Sequence, residues 1–294
     1  WPEVALNLGR VSLSEPGGKQ EFAALDSARV AVAVLPLLSK QVQLQRIEVA
    51  GLKATLVKHK DGTLNIADLI GNSGAQPAPK VGAGNTASTP VQLDIAGIRL
   101  SNAQLTWRDE KAGSTTALSR LDIGSGRIRA DGAQRSLAID ALAVSATGKA
   151  GADNFELKLE APRLQLSPEK SGGETLSLSA LLSGSGRNLA AKLVLSGVEG
   201  STQALKIGKL ALELDAKAGE ATAKGRLESP VAADLAAQTL ALENLAGKID
   251  IASPQMPMKQ LSLPISGKLR TDLARQSAAL ELGRLTKNNE AVTA

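Results

Sequence analysis

The chain has no cysteine and no tyrosine, and its 294 residues include one histidine, two phenylalanines and two tryptophans. Without cysteine there is neither a disulfide framework nor a thiolate metal site. The solitary histidine, His59, has no second imidazole or thiolate with which to complete a common transition-metal set. No serine sits in a nucleophile elbow or a histidine-centred triad, and the scattered glycines form no phosphate-binding loop. No catalytic residue, metal or cofactor is therefore assigned, and an enzyme is not expected. No apolar run is long enough to cross a bilayer. The start at Trp1-Pro2-Glu3 reads as a processed chain or an excised piece of a longer one.

Charge is also scarce in one sense. The formal net charge is only +5, with Lys and Arg spread through polar phases and nearly matched by Asp and Glu. No dense basic block with interleaved aromatics occurs, so nucleic acid is not an expected partner.

What the sequence does contain is a two-residue alternation of aliphatic residues. It runs through Val4, Leu6 and Leu8, through Val30, Val32 and Val34, and much later through Leu210, Leu212 and Leu214. Alternation of this kind gives a strand one apolar and one wet face. Ala-rich stretches such as 211–223 and 232–246 have high intrinsic helix propensity, but their Leu residues alternate with Glu, Asp or Lys, and that pattern predicts strand. The phase of the alternation changes after Gly9-Arg10 and again at Arg46. A bulge at Arg46 would let a curved sheet keep one apolar side.

Turn signals recur at regular intervals, which predicts a long antiparallel meander of strands about 8 residues, or about 26 Å, long. The expected fold is all-β, an elongated and strongly twisted antiparallel sheet curled into an open hydrophobic groove, with at most short helices. Residues 1–70 read as an amino-terminal β region and 71–90, rich in Gly, Ala, Ser and Pro, as a flexible loop or insertion. Residues 91–294 continue the β-groove, and whether that region is cut short at its end stays open.

The block that carries family information lies between Phe22 and Leu69. It contains Val30-Ala31-Val32-Ala33-Val34-Leu35-Pro36-Leu37-Leu38-Ser39, then Val42-Gln43-Leu44-Gln45-Arg46-Ile47-Glu48-Val49-Ala50-Gly51. It ends in Asp61-Gly62-Thr63-Leu64-Asn65-Ile66-Ala67-Asp68-Leu69. This text resembles the amino-terminal part of the AsmA family of bacterial envelope proteins: a strand, a Leu-Pro-Leu-Leu turn, a strand containing Arg-Ile, and a closing Asp-Gly followed by Asn and Asp-Leu. Ile66 departs from the Trp that the family often carries there, and the block covers about a sixth of the chain.

The resemblance implies a periplasmic protein, held at the inner membrane by an anchor absent from this chain. It also implies kinship with bridge-like lipid transfer proteins, whose curled sheets carry lipid along a hydrophobic groove in support of outer-membrane lipid homeostasis. The implied partners are a phospholipid or other acyl lipid, the inner membrane, and other envelope proteins.

On that reading the groove lining comprises Val30, Val32, Val34, Val42, Leu44, Ile47 and Val49, extended by Leu93, Ile95, Leu210, Leu212, Leu214, Leu261 and Leu263. Pro36, Asp61, Gly62, Asn65, Asp68 and Leu69 have structural parts, as turn formers and local backbone-bonding groups. Pro36 should end a strand, with a turn or one short helical turn at Leu37-Leu38. The alternative is a sealed β core in a structural or protein-interaction module, its edge strands recruiting partners.

Overall fold

The computed structural model describes residues 3–14, 21–38, 41–67, 92–168, 171–201, 204–234, 236–283, 285–287 and 290–292. The amino-terminal elements are β1 (Glu3–Leu8), β2 (Val11–Ser14), β3 (Glu21–Leu25), β4 (Ser27–Ala33), α1 (Val34–Leu38), β5 (Gln41–Ala50) and β6 (Lys53–Lys58). Next come β7 (Gln92–Asp109), β8 (Ser114–Gly124), β9 (Ile128–Asp131), β10 (Ser136–Ala150), β11 (Asp153–Leu166) and β12 (Ser171–Gly184). They are followed by β13 (Arg187–Gly200), β14 (Ala204–Ala218), β15 (Ala221–Asp234), β16 (Thr239–Ala252), β17 (Gln260–Asp272) and β18 (Ser277–Leu282). A last short pair, β19 (Leu285–Lys287) and β20 (Glu290–Val292), forms its own hairpin.

The first eighteen strands belong to one sheet. From β10 to β18 each strand pairs antiparallel with the next in the chain. At the other end β1 pairs with β4, β4 with β5, and β3 with both β2 and β6. Strand β7 then passes to β8 and β9, and both hand on to β10.

The expected antiparallel meander needs correction here. Strands β5 and β6 run parallel to β7, with Leu44 opposite Ile95 and Leu56 opposite Trp107. A parallel pair needs a crossover of a dozen or more residues, and the chain between Lys58 and Gln92 is long enough to supply one. The pairing also places residues before and after 71–90 in a single sheet.

Strand length differs too. Strands β11 to β13 have 14 residues each and β7 has 18, so a typical strand is about 46 Å long. The expected strands were half that because three-residue steps between apolar residues read as ends. In the structure the strand continues through them: Ile139 to Leu142 in β10, Ala161 to Leu164 in β11, Leu195 to Val198 in β13, Ile207 to Leu210 in β14, and Leu242 to Leu245 in β16.

Strand β15 shows what such a step does. Ile207 lies opposite Val231 and Leu210 opposite Ser229. Ser229 and Val231 are two residues apart on a strand whose own alternation is unbroken, so they share a face, and Ile207 and Leu210 share it with them. The step is a bulge that absorbs one residue without turning the apolar side chains over. Leu44 to Ile47 in β5 and Ile95 to Ile98 in β7 repeat it at the same height.

A second line of steps crosses the amino-terminal strands at Leu8 to Val11, Leu25 to Ala28, Val49 to Leu52, Leu100 to Ala103 and Leu118 to Leu121. Gly51 (φ +64°) and Asn102 (φ +53°) carry its left-handed backbone. Gly51 donates its N–H to Ser101 O at 2.9 Å, and Asn102 donates its own to Asp122 Oδ1 at 2.8 Å.

One assigned residue leaves the sheet. Val34 opens α1 and is not part of β4, because Pro36 lacks an N–H and has φ fixed near the helical value, which suits the first turn of a helix and ends a ladder. The helix therefore starts three residues before Leu37.

Candidate functional site

Cross-strand registers collect the remaining assigned lining residues on one face. Val30 and Val32 lie opposite Leu6 and Val4, and Val32 also faces Leu44. Leu44, Ile47 and Val49 lie beside Ile95, Ile98 and Leu100, and Val42 is in register with Leu93. Ile123, Val144, Leu159, Leu178, Leu193, Leu212 and Leu227 then form one row across seven strands. Leu210 and Leu214 flank Leu212 on the same face, and Leu263 and Leu261 reach it through Ile249 and Ile251, which face Gly225 and Ala223.

Among the described residues this face has no second layer. The one helix among the described residues, α1, is five residues long. The assigned strand residues whose side chains are described are half-buried, apart from Ile95, which is buried.

Burial on the face follows a pattern. Ile95, Ala161, Val231 and Leu242 are all buried, and all lie on the first line of steps. Ala103 and Ala146 are buried where the second line reaches Leu121, which faces both. Toward strand ends the same face opens, with Leu157 40% and Leu166 46% exposed. Of these buried residues Ile95 alone was among those assigned from sequence. The signal that finds the others is the spacing i, i+2, i+5, in which the three-residue step marks the bulge.

The opposite face is charged. Asp215 faces Lys224 (3.3 Å), Glu213 faces Arg226 (3.0 Å), and Lys248 pairs with Asp250 at 2.9 Å. A depression of about 670 Å³ lies on this charged face between Lys, Arg, Glu and Asp side chains, and another of about 610 Å³ at the strand ends is lined by Asp94, Arg129 and Gln165 together with Leu93, Leu137 and Leu166. Volume does not mark the site here, since long side chains make their own rims. On the apolar face Phe155, Leu157, Ala180, Leu182, Leu189 and Ala191 line a smaller depression of about 320 Å³.

The closing motif of the amino-terminal region is a tight turn. Asp61 Oδ1 accepts Thr63 N–H at 2.9 Å and Thr63 Oγ1–H at 2.7 Å, which holds its carboxyl below the ordinary value. Gly62 has φ +90° and donates to His59 O at 2.9 Å. Asn65 bonds β6 twice, its Oδ1 accepting from Val57 N and its Nδ2 donating to Thr55 O, both at 2.9 Å. His59 Nδ1 lies 3.2 Å from Glu110 Oε2 at the exposed end of β7. Asp68 and Leu69 lie outside the described residues.

The model of the AsmA family matches residues 1–294. The chain belongs to the AsmA family. Protein AsmA of Escherichia coli (strain K12) is 37% identical to it over 51 residues. That match takes in 17% of this AsmA-family chain and 8% of the length of the E. coli protein. No solved structure matches it. The family is one of bacterial envelope proteins, and no helix among the described residues is long and apolar enough to cross a membrane.

Proposed function

We propose that this AsmA-family chain binds phospholipid acyl chains on the apolar face of its sheet and carries them across the periplasm, in support of outer-membrane lipid homeostasis. The observation that carries this reading is a continuous aliphatic face, spanning β1 to β18, with no second layer over it among the described residues. Such a face must be covered or used.

Acyl chains suit it chemically. Leu, Val and Ile replace water around a hydrocarbon tail at about 0.8 kcal/mol per buried CH₂. Their contacts are non-directional, so one position is nearly equivalent to the next and a tail slides. The headgroup stays in water along the open side, which avoids burying its charge. The charged face keeps the outside of the sheet wet. No covalent step is required, and the protein acts as a carrier, not an enzyme. In the whole protein an inner-membrane anchor would place one end of the route at its lipid source.

Co-purifying phospholipid tests the reading. Leu44→Trp and Leu212→Trp should each lower the lipid bound per folded chain, and unchanged lipid content in both folded variants would overturn it.

A further inference from the structure

We infer that acyl tails lie along the first line of bulges, across the strands, and that this crease is the track of the apolar face. The inference rests on the lipid-carrying reading and adds to it which residues touch the tail and how many tails the chain holds.

Burial gives the first argument. With nothing among the described residues stacked on the face, Val231 is 4% and Leu242 8% exposed on the line of steps, whereas Leu157 and Leu166, nearer the strand ends, are 40% and 46% exposed. A sheet that buries large side chains along one line without a covering layer is folded toward its apolar side at that line. A flat face covers a tail from one side, and a crease covers it from two. More of the tail therefore leaves water in the crease than anywhere else on the sheet.

Backbone geometry gives the second. Ala141, in the β10 step, has φ +49°, a conformation that L-residues avoid, and the register places it opposite Pro162 in β11. Strained bulges are retained where they shape a site. Here the bulges line up from strand to strand, which a set of unrelated irregularities would not do.

Length gives the third. From β5 to β17 the line crosses ten strand spacings, roughly 48 Å at about 4.8 Å each. A tail in one half of a bilayer core about 30 Å thick occupies roughly 15 Å. The track is therefore long enough for two or three tails in file.

The test uses the unaltered protein, loaded from phosphatidylethanolamine vesicles whose acyl chains carry a diazirine, with adducts mapped by peptide mass spectrometry. Adducts should fall on Leu142, Leu195, Leu210 and Leu245 severalfold more often than on Leu157 and Leu189. Adducts spread evenly along the strands, or gathered at strand ends, would overturn the track and leave the lipid-carrying reading standing. An apolar face without adducts would overturn both. Native mass spectrometry of the same sample should show chains carrying more than one lipid, and a maximum of one would overturn the file of tails.

Discussion

Gly51 lies against Asp26 so closely that a Cβ on the glycine would fall 1.9 Å from Asp26 Oδ2, and its φ is +64°. The two residues sit side by side in the second line of bulges, where Asp26 N donates to Ala50 O at 3.0 Å. Gly113, in the turn after β7, has nearly the same φ of +63° but open space around it. Gly113→Ala should therefore cost only the left-handed strain, about 1–2 kcal/mol. Gly51→Ala should cost clearly more, because Asp26 must also move. Urea unfolding of the two variants checks this, and equal losses would contradict it.

Acid should loosen the same line of bulges. Asp122 accepts the Asn102 N–H and then the Arg120 guanidinium (2.6 Å), which together hold its carboxyl below the ordinary 3.8. A carboxyl whose folded value is the lower one contributes stability that is fully present above the unfolded value. That stability is lost as pH falls through the folded value. The difference in urea midpoint between wild type and Asp122→Asn should be largest near neutral pH and shrink below about pH 3.8. A difference that stays constant down to pH 3 would show that the carboxylate charge plays no part.

Asn65 ties the end of the amino-terminal motif to β6 with both ends of its amide. Asn65→Ala leaves the Val57 N–H and the Thr55 carbonyl without that partner and should cost about 1–3 kcal/mol. Asn65→Asp keeps the acceptor for Val57 N–H and loses the donor to Thr55 O, so its cost should lie between wild type and Asn65→Ala. Thermal unfolding of the three proteins gives the order.

Ion pairs on the charged face should matter little to stability. Arg226 bonds Glu213 at 3.0 Å, but their side chains are 68% and 52% exposed. A pair in that setting is worth at most about 1 kcal/mol. Arg226→Ala should stay within that range at low salt and shrink further in high salt, where exposed charges are screened. A larger loss that persists in high salt would mean that the Arg226 stem packs on the sheet.

Much of this was legible in the sequence because strand alternation is a local signal. Leu210, Leu212 and Leu214 show their shared face by spacing alone, and the Leu-Pro-Leu-Leu and Asp-Gly text supplied the family. The phase change at Arg46 also announced its bulge. The same step at Ile139 to Leu142 or Ile207 to Leu210 reads equally well as the end of one strand and the start of another. Only the register of a neighbour such as β15 distinguishes the two. Val34 continued the alternation of β4, and Pro36 pulled it into a helix. The parallel placement of β5 beside β7 joins residues about fifty apart in the chain, and no local pattern encodes such a pairing.

On the proposed route one face of the sheet, and not the other, meets lipid. Photoreactive side chains at Val32, Leu44 and Leu212, with Lys192 and Glu213 on the charged face as controls, test it most directly. Phospholipid adducts are expected at the first three positions and none at the last two. Equal labelling of both faces, or labelling of neither, would contradict it.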